Sequence, residues 1–83
     1  MADMRALEAL AARQGLAILE DACQARGAER DGLRAGANGL AGAFSFYPAK
    51  NLGAMGDAGA LVTSDETLAA NVRALCEHGQ TRK

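Results

Sequence analysis

No stretch of this 83-residue sequence approaches the roughly 18 consecutive apolar residues of a membrane-spanning helix. Its opening, Met1-Ala2-Asp3-Met4-Arg5, has no apolar core of the kind that heads a secretory signal. Nine Lys and Arg against ten Asp and Glu leave a net charge of −1, so there is no basic footprint for nucleic acid or an anionic membrane. Cys23 and Cys76 stand far apart with no CxxC or Cys/His spacing, which excludes a zinc motif and reads as free thiols in a reducing compartment. His78 is the one histidine and has no second ligand beside it, so no metal site is expected. Internal repeats, low-complexity tracts and linkers are also missing, and residues 1–83 read as a single partial domain of a cytoplasmic protein.

What remains is a helix, strand, loop, strand, strand, helix order. Asp3 is placed to cap a helix whose Met4, Leu7, Leu10 and Ala11 share a face, and Gly15 is placed to end it. Leu16 to Glu20 then reads as a short strand covered on both faces, with Asp21 closing it. Eight of the ten glycines fall between Gly27 and Gly59, which marks that stretch as rich in turns. Within it Asp31-Gly32, flanked by Ala28-Glu29-Arg30 and Leu33-Arg34, reads as a loop or small hairpin. Leu40 to Tyr47 and Ala58 to Thr63 are expected strands, paired antiparallel because the connection is too short for a helical crossover. Thr63 with Glu66 offers a capping box for a final helix with an apolar stripe of Leu68, Val72, Leu75 and Cys76, ended by Gly79. The predicted class is α/β, three short strands and two helices, with at least one sheet edge and one face uncovered.

Four residues in this frame have types suited to chemistry. Lys50 follows a strand carrying Phe44, Phe46 and Tyr47, where partial burial disfavours the ammonium and eases attack on a carbonyl. An isolated lysine in a glycine-containing loop is ordinarily a solvated charge, and that reading stays open. Asp21, at the C-terminal end of a strand, is either a ligand-facing carboxylate or a cap for the turn at Ala22-Cys23-Gln24. Gln24 can bond a ligand oxygen or satisfy loop backbone, and Ser45 can donate to phosphate or be an ordinary strand hydroxyl. Gly53, Gly56 and Gly59 are too loosely spaced for a P-loop, and no Lys-Ser/Thr ending follows them. The basic end at Arg82-Lys83 is too short to mean nucleic-acid binding.

Taken together, E-D-A-C-Q-A at Glu20 to Ala25, G-A-F-S-F-Y-P-A-K-N-L-G at Gly42 to Gly53, G-D-A-G-A-L-V-T at Gly56 to Thr63 and the tail from Arg73 to Lys83 resemble the DegT/DnrJ/EryC1/StrS family of sugar aminotransferases. The resemblance implies the large domain of the fold type I, aspartate aminotransferase-like fold. It also implies pyridoxal 5′-phosphate (PLP) as cofactor, with Lys50 as its covalent partner and proton carrier. By the same carry-over Asp21 pairs with the ring nitrogen, Gln24 bonds O3′ and Ser45 holds phosphate. Substrates would be a nucleotide-linked keto-sugar and an amino-acid donor, and the working form a homodimer. Relatives with histidine for the lysine are dehydratases, so Lys50 points to the aminotransferase branch. Cys23 and Arg26 stand where alanine and histidine are frequent in the family. Family members are several times longer, so the chain is expected to be an internal piece of the large domain. The competing expectation is a truncated, non-catalytic remnant or a small α/β interaction module.

Overall fold

A computed structural model describes residues 1–79. The first helix, α1 (Met4–Gln14), starts where the Asp3 carboxylate accepts the Ala6 N–H at 3.1 Å. It ends at Gly15, whose φ of 64° only glycine adopts without strain, and the Leu16 N–H closes back onto the Ala11 carbonyl at 2.9 Å. Strand β1 (Leu19–Asp21) follows. A hairpin of β2 (Glu29–Arg30) and β3 (Leu33–Arg34) comes next, then β4 (Ala41–Ser45), β5 (Gly59–Val62) and α2 (Glu66–Cys76).

The main sheet has the order β1-β4-β5, with β4 parallel to β1 and antiparallel to β5. Leu19, Glu20 and Asp21 face Ala41, Gly42 and Ala43, and Ser45 faces Gly59. The antiparallel β4-β5 pair matches the sequence expectation. The hairpin forms as well, because Asp31 and Gly32 both take positive φ (53° and 77°), the pairing of a type I′ turn. It is tied to the start of α1 by Arg5, which donates to the Asp31 carbonyl at 3.0 Å, and by Arg30, which donates to the Met1 carbonyl at 3.3 Å.

Three expectations need correction. The first strand begins at Leu19, not Leu16, and its burial is inverted: Leu19 is 68% exposed while Glu20 between its neighbours is buried. The cause is a polar socket. Glu20 accepts the Gly36 N–H at 2.8 Å and the Asn38 N–H at 2.5 Å, so its charge is satisfied inside. The last helix is capped by Asp65, whose carboxylate accepts the Leu68 N–H at 2.9 Å, and not by Thr63. The Thr63 hydroxyl instead donates to the Leu40 carbonyl at 2.6 Å and accepts the Asp65 N–H at 3.1 Å, just ahead of a helix with Glu66 in its first turn. Of the predicted α1 stripe, Met4 and Ala11 are buried but Leu7 and Leu10 are more than two-fifths exposed. A three-stranded sheet is too narrow to cover them.

Gly79 does help finish α2, its N–H bonding the Ala74 carbonyl at 2.7 Å. The Arg82-Lys83 end and the last residues of the motif from Arg73 to Lys83 lie outside the described residues. The molecule is a slab of 41 × 31 × 16 Å, and among the described residues no large side chain is fully buried. Among the described residues no helix is long and apolar enough to cross a membrane.

Candidate active site at the C-terminal edge of the sheet

Parallel pairing of β1 and β4 brings their C-terminal ends to the same edge, where open α/β sheets collect their ligands. Asp21 closes β1 there. One of its carboxylate oxygens accepts the Cys23 N–H at 3.2 Å, and the Ala25 N–H bonds the Ala22 carbonyl at 3.0 Å. Asp21 thus does cap the turn, one of the two roles open from sequence, and the same turn carries Gln24 over the sheet edge. The carboxyl sits below its usual range because Cys23 hydrogen-bonds it through thiol and backbone, with the positive charge of Lys50 adding to the effect. The Cys23 thiol is pushed up in turn by its hydrogen bond to Asp21, burial and the Asp21 charge.

Ser45 is the last residue of β4, half-buried, its hydroxyl accepting the Tyr47 N–H at 3.3 Å. The chain then makes a closed loop. Phe46 donates its N–H to the Ala58 carbonyl and accepts that of Ala54, each at 2.8 Å, and inside it the Lys50 N–H bonds the Tyr47 carbonyl at 2.8 Å. Gly53 is required there, since a Cβ at that position would collide with the Pro48 carbonyl oxygen. The closed loop holds Lys50 half-buried over the end of the sheet, not free in solvent.

Gln24, Ser45 and Lys50 line one cavity of about 110 Å³. Asp21 is not part of its wall, yet it stands close enough for its charge and that of Lys50 to interact without forming a direct ion pair. The four predicted site residues are therefore gathered at one edge. Arg26 and Asn51 complete the polar lining and were not singled out by sequence reasoning as site residues. A larger groove of about 550 Å³ between β5 and α2 shares no residue with this cavity and is walled mainly by apolar residues such as Leu61 and Val72. Size is outweighed here by chemistry: the smaller cavity holds the amine, hydroxyl and amides. Among the described residues no group of three or more His, Cys, Asp or Glu is placed to hold a metal.

The profile of the DegT/DnrJ/EryC1/StrS aminotransferase family matches residues 1–83. A dTDP-3-amino-3,4,6-trideoxy-alpha-D-glucose transaminase of Streptomyces venezuelae is 55% identical over 82 residues, which is 99% of this chain and 22% of that protein. A UDP-N-acetyl-3-dehydro-alpha-D-glucosamine 3-aminotransferase of Acidithiobacillus ferrooxidans is 49% identical over 78 residues, 94% of this chain and 21% of that one. Among solved structures, S. venezuelae DesV in complex with a ketimine intermediate superimposes with a TM-score of 0.93 at 54% identity, covering 100% of this chain and 22% of that one. The chain thus spans about a fifth of the length of the curated relatives it matches. Its matched profile, covering every residue, shows that the chain belongs to the DegT/DnrJ/EryC1/StrS aminotransferase family.

Proposed function

We propose that residues 1–83 form the cofactor-binding segment of the large domain of a PLP-dependent aminotransferase, which passes an amino group from an amino-acid donor to a nucleotide-linked keto-sugar. The protein would work as a cytoplasmic homodimer. The observation that carries this reading is the convergence of Asp21, Gln24, Ser45 and Lys50 on one sheet edge, with Asp21 held ionised beside Lys50. Both relatives described above bear the names of nucleotide-sugar aminotransferases, which supports the substrate class.

The donor set fits PLP. A carboxylate kept ionised can hold a proton on a ring nitrogen, and a hydroxyl, an amide and an amine in one cavity supply partners for phosphate, phenolic oxygen and aldehyde. Bound PLP supplies an electron sink for the carbon that loses its proton. Lys50 Nζ would be the covalent attachment point and would carry the proton to and from that carbon. Asp21 Oδ would keep the ring nitrogen protonated. The Gln24 amide would donate to O3′, and the Ser45 hydroxyl, at the end of β4, to a phosphate oxygen. The closed loop from Phe46 to Ala54 gives Lys50 a fixed base, so that little ordering is left to the reaction itself.

By themselves the 83 residues would be inactive, because the sheet faces and helix stripes that would have to be rigid are open to water. The test therefore uses a full-length protein, either this chain with its own continuation or the S. venezuelae relative with its matching segment replaced by these residues. Borohydride reduction after PLP loading, followed by peptide mapping, should place the label on Lys50. Label on another lysine, or none, would defeat the proposal.

A further inference from the structure

The cavity at the sheet edge contains two cations and no anion. Arg26 and Lys50 line it together with the amides of Gln24 and Asn51 and the hydroxyl of Ser45, and among the described residues no carboxylate forms part of its wall. Like Arg13 and Arg73, Arg26 has no protein partner among the described residues, whereas Arg5 and Arg30 donate to carbonyls and Arg34 pairs with Glu29. Its place is set by two consecutive turns, closed by the Ala25 N–H on the Ala22 carbonyl and the Ala28 N–H on the Ala25 carbonyl at 3.0 and 2.9 Å. They bring residue 26 to the same wall as Gln24.

Asp21, outside the wall, offers Lys50 an opposite charge, whereas Arg26 faces no carboxylate within ion-pair distance among the described residues. At about 110 Å³ the space equals roughly four water molecules at about 30 Å³ each. A carboxylate or a phosphate group fits that space. Of the two cations, Lys50 is already committed to covalent chemistry on the reading above. Arg26 is the standing charge, and a planar guanidinium matches the two oxygens of a carboxylate or phosphate better than any other side chain.

We propose that Arg26 is an oxyanion-binding residue of this cavity, taking either the carboxylate of the amino donor or the phosphate of PLP. The inference rests on the PLP reading of the site. It is tested in the full-length protein with Arg26→Gln and Arg26→Lys, both at an exposed position where the fold has little at stake. The apoproteins are titrated with PLP and with pyridoxal, which lacks the phosphate, and steady-state KM and kcat are measured for glutamate as donor. If the anion is phosphate, Arg26→Gln weakens PLP binding about 10- to 100-fold and leaves pyridoxal binding unchanged. If it is the donor carboxylate, the KM for glutamate rises by about the same factor and PLP binding stays put. In either case Arg26→Lys recovers part of the loss, because it keeps the charge and loses the fork. Unchanged PLP affinity together with an unchanged glutamate KM overturns the inference. So does an equal loss for PLP and pyridoxal without a change in KM, since that is a structural effect. A wild-type protein that takes up no reducible PLP defeats the underlying reading and this one with it, whereas the other two results defeat this one alone.

Discussion

Glu20 accepts the backbone N–H of Asn38 at 2.5 Å, holding the loop ahead of β4 against β1 from inside the fold. Its other oxygen takes the Gly36 N–H at 2.8 Å. Gly36 in turn lies against Phe44, and a Cβ there would collide with the ring. One residue further along β1, Asp21 is exposed and caps the turn that carries Gln24. Successive strand residues face opposite ways, so two adjacent carboxylates serve two purposes: Glu20 fixes the sheet, and Asp21 faces the site.

Glu20→Ala should lower the stability of the full-length protein by about 1 to 3 kcal/mol, the cost of leaving buried backbone N–H groups without an acceptor. Glu20→Gln should lie between the two, since its amide offers one acceptor oxygen and presents a donor to the second N–H. Urea unfolding gives the comparison, and equal midpoints for all three proteins would contradict the clamp.

Lys50→Ala in the full-length protein should abolish the borohydride-reducible link and cut transamination by about 10²- to 10⁴-fold from the loss of the proton carrier alone. PLP should still bind noncovalently through the other contacts. Retained turnover, followed by the 2-oxo acid released from the amino donor, would remove Lys50 from its role.

Asp21→Asn should slow proton transfer far more than it weakens PLP binding, because an amide cannot keep the ring nitrogen protonated. Stopped-flow spectra with the donor separate the two effects. Asp21 also makes a pH-dependent contribution to stability. Its carboxyl is lowered from the ordinary value of 3.8 by Cys23 and Lys50, so the folded state favours the ionised form. The contribution is fully present above pH 3.8 and disappears as the pH falls through the lowered value. The stability gap between wild type and Asp21→Asn should thus be flat from neutral pH down to that range and narrow below it.

Asp65→Ala should destabilise the protein by about 1 kcal/mol through loss of the α2 cap. Thr63→Val should act differently, breaking the bond to the Leu40 carbonyl at the β4-β5 end while leaving the cap intact. Helix content by circular dichroism in trifluoroethanol, on a peptide covering residues 62–79, should fall for the first substitution and not for the second. The reverse order would restore Thr63 as the cap.

The 83 residues alone should associate or remain poorly folded. Their radius of gyration is 14.4 Å, against about 12 Å for a compact domain of this length, and Leu7, Leu10, Leu61, Val62 and Leu75 are all at least two-fifths exposed. Burial of Leu-sized side chains stabilises by about 1.5 to 3 kcal/mol each, and ordering costs about 1 to 2 kcal/mol for every residue. Too few are buried for the first to offset the second. Light scattering after size exclusion should show oligomers, and a monodisperse monomer with a cooperative melt would count against this.

Elements whose signals are local can be read from the residues that lie within a turn of them. Asp3 and Gly15 bracket α1 because a cap and a left-handed stop act within one turn of chain, and Asp31-Gly32 dictates the hairpin for the same reason. Asp21, Gln24, Ser45 and Lys50 are legible as a constellation only through the resemblance to the family, and the antiparallel run of β4 and β5 through the length between them. Features that depend on distant partners emerge when the chain folds. The buried carboxylate of Glu20 needs backbone 16 and 18 residues away, and the Thr63 hydroxyl reaches the Leu40 carbonyl, 23 residues upstream, while Asp65 caps α2. Arg26 joined the cavity wall because two turns bring it back over the sheet edge, and Leu7 and Leu10 stayed exposed because three strands give them nothing to cover. Periodicity records which side chains share a face, but the layer that face meets is fixed by chain topology.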